Sequence, residues 1–286
     1  MKKIVSIVTR TRRRTAFLER ALKSVVGQVL PSDISLEWVI VNDDNETDGL
    51  NEVVASAQAE GLMVKLLHTG CDSGIGRAAA ANFGVNASSG WAFLLHDDDD
   101  ALEPDAIGQL AGRLQSCASL VGCAGGVVYV WEMEQNGVYE EQRRELAFAQ
   151  DLPLAISQIA YANPVPPIGL LVLREAYDRV GGFDESLPVL EDWDLLLKLV
   201  LEGDIDCLSQ PIALHYRREA VGDAANSAHS EHERWGVLIR NRLIRDDIRN
   251  GRMGLSHFAV IHDRLTSERL SRLLESLSRW KRKIGL

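Results

Sequence analysis

The sequence predicts an α/β protein in which a mostly parallel sheet is flanked by helices and followed by a helical C-terminal extension. Four apolar runs of strand length alternate with segments of helical periodicity before residue 105. The fourth run, residues 91–95, is apolar throughout, as expected of a strand buried on both faces of a parallel sheet. A chain of 286 residues is long enough to bury such a core.

The first half of the chain divides into strand and helix units in order. Strands are predicted at residues 4–8, 38–41, 64–67 and 91–95, and helices at 17–29, 50–57 and 75–87. Gly61 closes the second helix, and the small residues 78–81 would let the third helix lie close to the sheet. This succession favours parallel strands with helices on both faces.

The second half has a different pattern. Asn136 and Gly137 lie between two apolar runs and predict a hairpin with a type I′ turn. Three prolines within residues 163–167 exclude a helix there and indicate an extended segment. The remaining predicted elements are strands at residues 170–173 and 212–216 and helices at 193–200 and 227–286.

Composition and charge argue against several classes of protein. The net charge of -10 disfavours a nucleic-acid partner, because binding to a phosphate backbone needs a basic surface. The sequence has neither a secretion signal nor an apolar stretch of about 18 residues, so we expect a cytoplasmic protein. The four cysteines form no CxxC pair, and we expect them to be reduced.

Four consecutive aspartates, Asp97, Asp98, Asp99 and Asp100, follow the fourth strand. They fall at its carboxyl end, where open α/β sheets bind ligands. Adjacent carboxylates repel one another, and Mg²⁺ or Mn²⁺ would remove that repulsion while also binding substrate phosphates. The alternative is a solvated acidic loop before the helix that Pro104 begins.

Two further acidic pairs are candidate site residues. Asp43 and Asp44 end the second strand, where a carboxylate can accept hydrogen bonds from a base or a ribose, although such residues also turn the chain. Glu191 and Asp192 open an apolar helix, where the helix dipole favours carboxylates. A carboxylate held at a cavity wall by a helix start also suits a general base.

One motif supports a different hypothesis, that of a dehydrogenase. Residues 74–79 fit the G-x-G-x-x-A pattern of dinucleotide-binding proteins, with Asp97 where a ribose-binding acid would lie. Two observations oppose it. The pattern belongs in the first tight βα turn, whereas a loop separates Leu67 from Gly74, and a ribose needs one acid rather than four.

A family resemblance becomes specific when four blocks are taken in order: VSIVTRTRRRTAFLERALKSVVGQ, EWVIVNDDNETDG, NFGVNASSGWAFLLHDDDDALEPD and VGGFDESLPVLEDWDLLLKL. Together they resemble the family-two glycosyltransferases of the GT-A fold. The resemblance implies a Rossmann-like GT-A domain in residues 1–218 and a helical extension in residues 219–286. Within the domain, residues 1–118 would bind the nucleotide sugar and residues 119–218 the acceptor.

The resemblance also implies roles for individual residues. Metal binding, to Mn²⁺ or Mg²⁺, maps onto Asp97, Asp99 and His215, with Asp99 as the direct ligand. The catalytic base maps onto Asp192, with Glu191 as the alternative. Nucleotide binding maps onto Thr9, Thr11, Arg12, Asp43, Asp44, Arg77, Asp97 and Asp98.

Three features of the site depart from the family pattern or leave a role open. Where many members read Pro-Thr-Tyr-Asn-Arg, this chain has arginines at residues 10, 12, 13 and 14, so Arg12 would replace an aromatic residue in stacking on the base. Many members keep an arginine before the asparagine of the third helix, where this chain has Ala81, so Arg77 would supply that cation. A lone histidine such as His215 is also a common structural residue, and His229 and His232 compete with it for the metal.

The expected reaction is transfer of a sugar, most simply from a UDP-sugar, to a hydroxyl of a glycan or lipid-linked acceptor with inversion at the anomeric carbon. By family habit this would serve bacterial surface polysaccharide assembly. The alternatives are a sugar-phosphate nucleotidyltransferase and a non-catalytic module that binds nucleotide sugars or glycans. The first is disfavoured because residues 9–15 contain no glycine.

The C-terminal residues carry an apolar stripe. It consists of Leu270, Leu273, Leu274, Leu277, Trp280 and Ile284, and the positions between them are largely basic. This pattern is typical of a helix on an anionic membrane surface, here the inner face of the cell membrane. The alternative is a terminal helix packed on its own domain or on a second copy of the chain.

Overall fold

The computed structural model describes residues 2–135, 138–218, 229–251 and 254–257. Their strands form one nine-stranded sheet in the order β3-β2-β1-β4-β8-β6-β9-β5, with β7 paired to β6. The strands are β1 (Lys3–Thr11), β2 (Ile34–Asn42), β3 (Met63–His68), β4 (Ala92–Asp97), β5 (Ala101–Leu102), β6 (Leu120–Gln135), β7 (Val138–Phe148), β8 (Leu170–Leu173) and β9 (Asp204–Arg218).

The helices of the described residues cover both faces of this sheet. They are α1 (Thr15–Val26), α2 (Leu50–Ala59), α3 (Arg77–Ala87), α4 (Ala106–Gln115), α5 (Ile156–Tyr161), α6 (Arg174–Arg179), α7 (Glu191–Leu199) and α8 (His229–Asn250). None of these helices is both long and apolar enough to cross a membrane. The apolar stripe predicted for residues 270–284 lies outside the described residues.

The sheet is parallel in the first half of the chain and mixed in the second. β1 pairs in parallel with β2 and β4, and β2 with β3, as the βα units predict. β8 then pairs antiparallel with both β4 and β6, whereas β6 and β9 are parallel. The α/β architecture with a sheet flanked by helices is thus confirmed, while the antiparallel position of β8 and the short strand β5 are additions to the prediction.

Alternate residues of the central strands point to two hydrophobic cores. On β1, Val8 packs in the core that contains α3 and α7, whereas Ile7 packs in the core that contains α1, α2 and α4. Both side chains are fully buried, as expected for strands covered on both faces. Helix α3 lies so close to the sheet that a Cβ at Gly84 would be 2.5 Å from Val8 Cγ1 and 2.7 Å from Val41 Cγ2.

The predicted hairpin is confirmed in the described residues. Gln135 at the end of β6 pairs with Val138 at the start of β7, and the two strands run antiparallel. The turn residues, Asn136 and Gly137, lie outside the described residues. The strand that we predicted at 212–216 is longer than expected, because β9 pairs with β6 from residue 204 to residue 218.

The topology brings the ends of the parallel strands together. Arg10 near the end of β1 pairs with Asp97 at the end of β4, and Thr11 pairs with Asn42 at the end of β2. The residues that follow these strands, Asp43 and the aspartate cluster, therefore meet at one edge of the sheet, as parallel strands require.

Candidate active site

A cavity of about 590 Å³ opens at the carboxyl edge of β1, β2 and β4. Its size is typical of a site for a small ligand. Besides the strand ends, its walls are the start of α7, the segment 163–167 and the face of β6 and β9. Of the predicted site residues, those that line it are Thr11, Arg12, Asp43, Arg77, Asp97, Asp98, Asp99, Glu191, Asp192 and His215.

The structure places Thr9 in the core instead of the cavity. Its side chain is fully buried, and its hydroxyl accepts a hydrogen bond from the Trp38 indole nitrogen at 2.8 Å. Trp38 is itself fully buried in the sheet, so its N–H needs such an acceptor. The prediction of a nucleotide-binding Thr9 is therefore corrected: its hydroxyl is bonded to Trp38, and the residue does not line the cavity.

Asp44 also has a structural role. Its carboxylate accepts the backbone N–H of Arg13 and of Glu46, each at 2.7 Å, and the residue is only 2% exposed. Arg13 has a φ of 53°, which is uncommon for a residue with a side chain, and the bond to Asp44 stabilises that turn. The alternative in which this aspartate turns the chain is the correct one.

Asp43 lines the cavity and is held by the glycine loop. Its Oδ1 accepts the N–H of Ile75 at 2.8 Å, and its Oδ2 accepts that of Gly76 at 3.2 Å. Gly74 has a φ of 72°, and a Cβ there would lie 2.8 Å from Asp43 Oδ2. The glycines of the G-x-G-x-x-A pattern thus serve to wrap this loop around Asp43, which removes the reason for the dehydrogenase hypothesis.

Arg10 links the aspartate cluster to the start of α7. Its guanidinium bonds Asp97 at 2.7 Å and Glu191 at 2.8 Å, and Arg77 Nε lies 3.2 Å from the same Glu191 oxygen. Burial alone would raise the pKa of Asp97, but Arg10 and Arg77 hold it well below its usual range. Burial likewise opposes ionisation of Glu191, and Arg77 and Arg10 lower its pKa.

These contacts distinguish the two candidate bases. Glu191 is 1% exposed and bonded to two guanidiniums. These two cations keep it ionised and make it a weak base. Asp192 accepts a hydrogen bond from Asn163 Nδ2 at 2.7 Å. Burial and the charge of Glu191 raise the pKa of Asp192 to about 6. Of the two carboxylates, Asp192 is therefore the one with the higher affinity for a proton.

Asn163 fixes the orientation of Asp192. Its side-chain oxygen accepts the N–H of Val165 at 3.0 Å while its nitrogen donates to Asp192 Oδ2. The proline-rich segment that follows is extended, as predicted, and Val165 is buried against the core. The proline-rich segment thus supports the carboxylate of Asp192 through Asn163.

The other three aspartates of the cluster differ in their partners. Arg14 bonds Asp99 and lies 3.3 Å from Asp98, and Arg218 also bonds Asp99. Asp100 does not line the cavity; it bonds His215 Nδ1 at 2.8 Å and the N–H of Tyr216 at 2.9 Å. Asp100 therefore holds the imidazole of His215 in place.

The side chains of the cavity that could ligate a metal fit a divalent cation in one particular way. Asp97, Asp98 and Asp99 supply hard oxygen atoms to the cavity and His215 supplies an imidazole, yet no three such side chains converge on one point among the described residues. Mg²⁺ commonly takes one or two carboxylates and completes its shell with water and substrate phosphates. The residues therefore fit a cation that is bound together with a phosphorylated ligand.

Several of these residues were not found from the sequence. Arg10, Arg14 and Arg218 pair with the acidic residues, and Asn163 and Asp100 orient the base and the histidine. The arginine-rich segment after β1 was visible as a departure from the family pattern. Its partners were not, because Arg10 and Glu191 are 181 residues apart.

Comparison with known proteins shows which family the sequence matches. The family model described as "Glycosyl transferase family 2" matches residues 6–155. An uncharacterized glycosyltransferase of Bacillus subtilis (strain 168), YwdF, is 29% identical over 195 residues, covering 68% of this chain and 67% of that one. The O-antigen biosynthesis protein RfbC of Myxococcus xanthus is 23% identical over 229 residues, which are 79% of this chain and 16% of RfbC.

Solved structures show the same fold. The S. aureus TarS 1-349 complex with UDP-GlcNAc has a TM-score of 0.62 at 21% identity, over 90% of this chain and 69% of that one. The TarS 1-349 complex with UDP has a TM-score of 0.57 at 20% identity. That match covers 76% of this chain and 60% of TarS 1-349. Because the family match extends over half of the 286 residues, the chain belongs to glycosyl transferase family 2.

Proposed function

We propose that this glycosyltransferase moves a sugar from a UDP-sugar to an acceptor hydroxyl in a single displacement that inverts the anomeric carbon. The observation that carries the proposal is Asp192, a partly buried carboxylate with a pKa of about 6 on the wall of the cavity that holds the aspartate cluster. The TarS complexes with UDP and UDP-GlcNAc support the choice of donor.

Asp192 would take the proton of the acceptor hydroxyl as the oxygen attacks the anomeric carbon. A base whose pKa lies near the working pH is efficient, because it is ionised yet still attracts protons. Asn163 holds the carboxylate in place, and Glu191 keeps Arg10 and Arg77 beside it. Glu191 is thus a positioning residue in this mechanism.

Asp97 and Asp99 would hold Mn²⁺ or Mg²⁺ together with the donor diphosphate, with His215 beside them. When bound, the cation neutralises the negative charge that develops on the departing diphosphate. Arg77 is half exposed at the cavity and would add a fixed positive charge for the same group. Arg12 lines the cavity without an ion pair among the described residues and would stack on the base.

The acceptor would be a glycan or a lipid-linked saccharide, used at the cytoplasmic face of a bacterial membrane in surface polysaccharide assembly. The name of the relative RfbC, an O-antigen biosynthesis protein, supports this setting. The basic C-terminal stripe at residues 270–284 would provide membrane contact or a dimer contact.

One panel of assays tests the proposal. The purified chain is incubated with Mn²⁺ and each of several nucleotide sugars, and the product anomer is read by NMR. Release of a nucleoside diphosphate with an inverted product is expected, and EDTA should abolish it. Pyrophosphate exchange would indicate a nucleotidyltransferase, and binding without turnover a non-catalytic module.

The variant Asp192→Asn tests the base. It should bind UDP as the unchanged chain does and lose transfer by two to four orders of magnitude, which is the contribution of a positioned base. The isosteric Glu191→Gln is the comparison. If Asp192→Asn retained transfer while Glu191→Gln lost it, the base would be Glu191.

A further inference from the structure

Arg217, like Arg12, differs from the other arginines that line the cavity. Arg10, Arg14 and Arg77 each have a carboxylate within 4 Å, whereas Arg217 has none among the described residues. The chain as a whole has a net charge of -10, so an unpaired guanidinium that faces a cavity is not a consequence of a basic composition. A guanidinium in such a place is available to an anionic group.

The Arg217 side chain is held by aromatic rings. Its guanidinium carbon lies 3.7 Å from the centroid of Tyr129 and 5.6 Å from that of Trp131. Stacking of this kind uses the face of the guanidinium and leaves its N–H edges free, and those edges match a phosphate or a carboxylate with two parallel hydrogen bonds. Arg217 is therefore ordered before any ligand binds.

Strand pairing extends this arrangement into a row across the sheet. Trp131 on β6 is opposite Arg217 on β9 and opposite Arg143 on β7, and the Arg143 guanidinium carbon lies 4.5 Å from its ring centroid. The next row toward the aspartate cluster has Tyr129 opposite His215. Residues two positions apart on a strand are separated by about 7 Å. The backbone of Arg217 is therefore about one sugar length from that of His215.

The row is also within reach of the base. Tyr129, Arg217 and Asp192 all line the same cavity. A saccharide that presents a hydroxyl to Asp192 would therefore bring a neighbouring substituent to Arg217.

We propose that Tyr129, Trp131 and Arg217 form an acceptor subsite for a saccharide that carries a phosphate or a carboxylate. This inference rests on the proposed transferase function and adds the chemical class of its acceptor. The aromatic rings hold the face of the guanidinium, and the free edge of Arg217 binds the anion.

The experiment measures binding to the full chain loaded with UDP and Mn²⁺, by calorimetry in 150 mM salt. The probes are methyl glucoside, methyl glucuronide and methyl glucoside 6-phosphate, which differ in one substituent. We expect at least one anionic probe to bind ten-fold or more tightly than the neutral one. The tighter of the two identifies carboxylate or phosphate as the group that the site selects.

The variants Arg217→Gln and Arg217→Lys test the residue. Arg217→Gln should reduce the affinity for the anionic probes to that of the neutral probe, and Arg217→Lys should give an intermediate value because it keeps the charge and loses the planar edge. The control is Arg249→Gln, which removes the same charge from a 74% exposed side chain on α8 and should change nothing. UDP affinity should be the same in all four proteins.

Four results would overturn the inference. Equal binding of the neutral and anionic probes, or no binding of any probe, would remove the anionic subsite. A weaker affinity for UDP in Arg217→Gln with unchanged probe binding would assign Arg217 to the donor. If the unchanged chain failed to bind UDP at all, both the proposed function and this subsite would be refuted. If it bound UDP but did not distinguish the probes, only the subsite would be refuted.

Discussion

Asp192 should give transfer a characteristic dependence on pH. Burial and the charge of Glu191 raise its pKa from 3.8 to about 6. A base acts when it is deprotonated, so activity should fall as the pH decreases through this value. With a pKa of 6, about 90% of Asp192 is ionised at pH 7 and about 10% at pH 5. We therefore expect kcat/KM to fall roughly ten-fold between these two pH values.

Two substitutions should move this acidic limb in opposite directions. Glu191→Gln removes a negative charge next to Asp192 and should lower its pKa, which shifts the limb to lower pH. Arg77→Gln removes a positive charge and should shift the limb to higher pH. The second shift should be smaller, about half a unit, because the Arg77 side chain is 51% exposed and its charge is screened by water and salt.

The assay is initial-rate transfer at limiting donor between pH 4.5 and pH 8, with circular dichroism at each pH to show that the protein is folded. An ordinary carboxylate with a pKa of 3.8 would still be more than 90% ionised at pH 5. A rate that stays flat to pH 5 would therefore refute the assignment. So would a shift of the limb in the same direction in both variants.

Three further predictions concern stability and are measured by urea unfolding. Gly84→Ala should destabilise the fold by about 1–3 kcal/mol, because its Cβ would clash with Val8. The matched control is Gly112→Ala on α4, where the new Cβ would have no atom within 4 Å, and it should stabilise the fold by about 0.5–1 kcal/mol. Arg10→Gln should cost about 3 kcal/mol, because it leaves the buried Glu191 and the partly buried Asp97 with only the half-exposed Arg77 as a shared cation. Glu37→Gln should cost about 2–4 kcal/mol, since Glu37 bonds Lys65 and three donors of residues 6 and 89.

The first four strands could be predicted from the sequence because their signal is local. An apolar run such as residues 91–95 followed by helical periodicity is a pattern that depends on the nearest residues only. The same locality explains why Asp43 and Asp97 lie at one cavity, since the ends of parallel strands share an edge. It also explains the hairpin, whose turn residues are adjacent. The role of Asp192, at the start of α7, was expected from the family resemblance instead.

The partners of these residues could not be predicted in the same way. Nothing around Arg10 indicates Glu191, and nothing around Asp99 indicates Arg218, because each pair is closed by the tertiary fold. The misassigned Thr9 shows the converse limit. A threonine near a strand end suggests ligand binding, and only the position of the Trp38 indole shows that its hydroxyl is already used.

The antiparallel strand β8 sets the order in which the chain can become active during synthesis. It lies between β4 and β6, so the edge of β4 is open until residue 173 has emerged. The carboxylates at the start of α7 are synthesised later still. At 5–20 residues per second, roughly ten seconds separate the synthesis of Asp97 from that of Leu173. A nascent chain of residues 1–118 would expose the edge of β4 to other chains, and we expect chaperones to bind it during this interval.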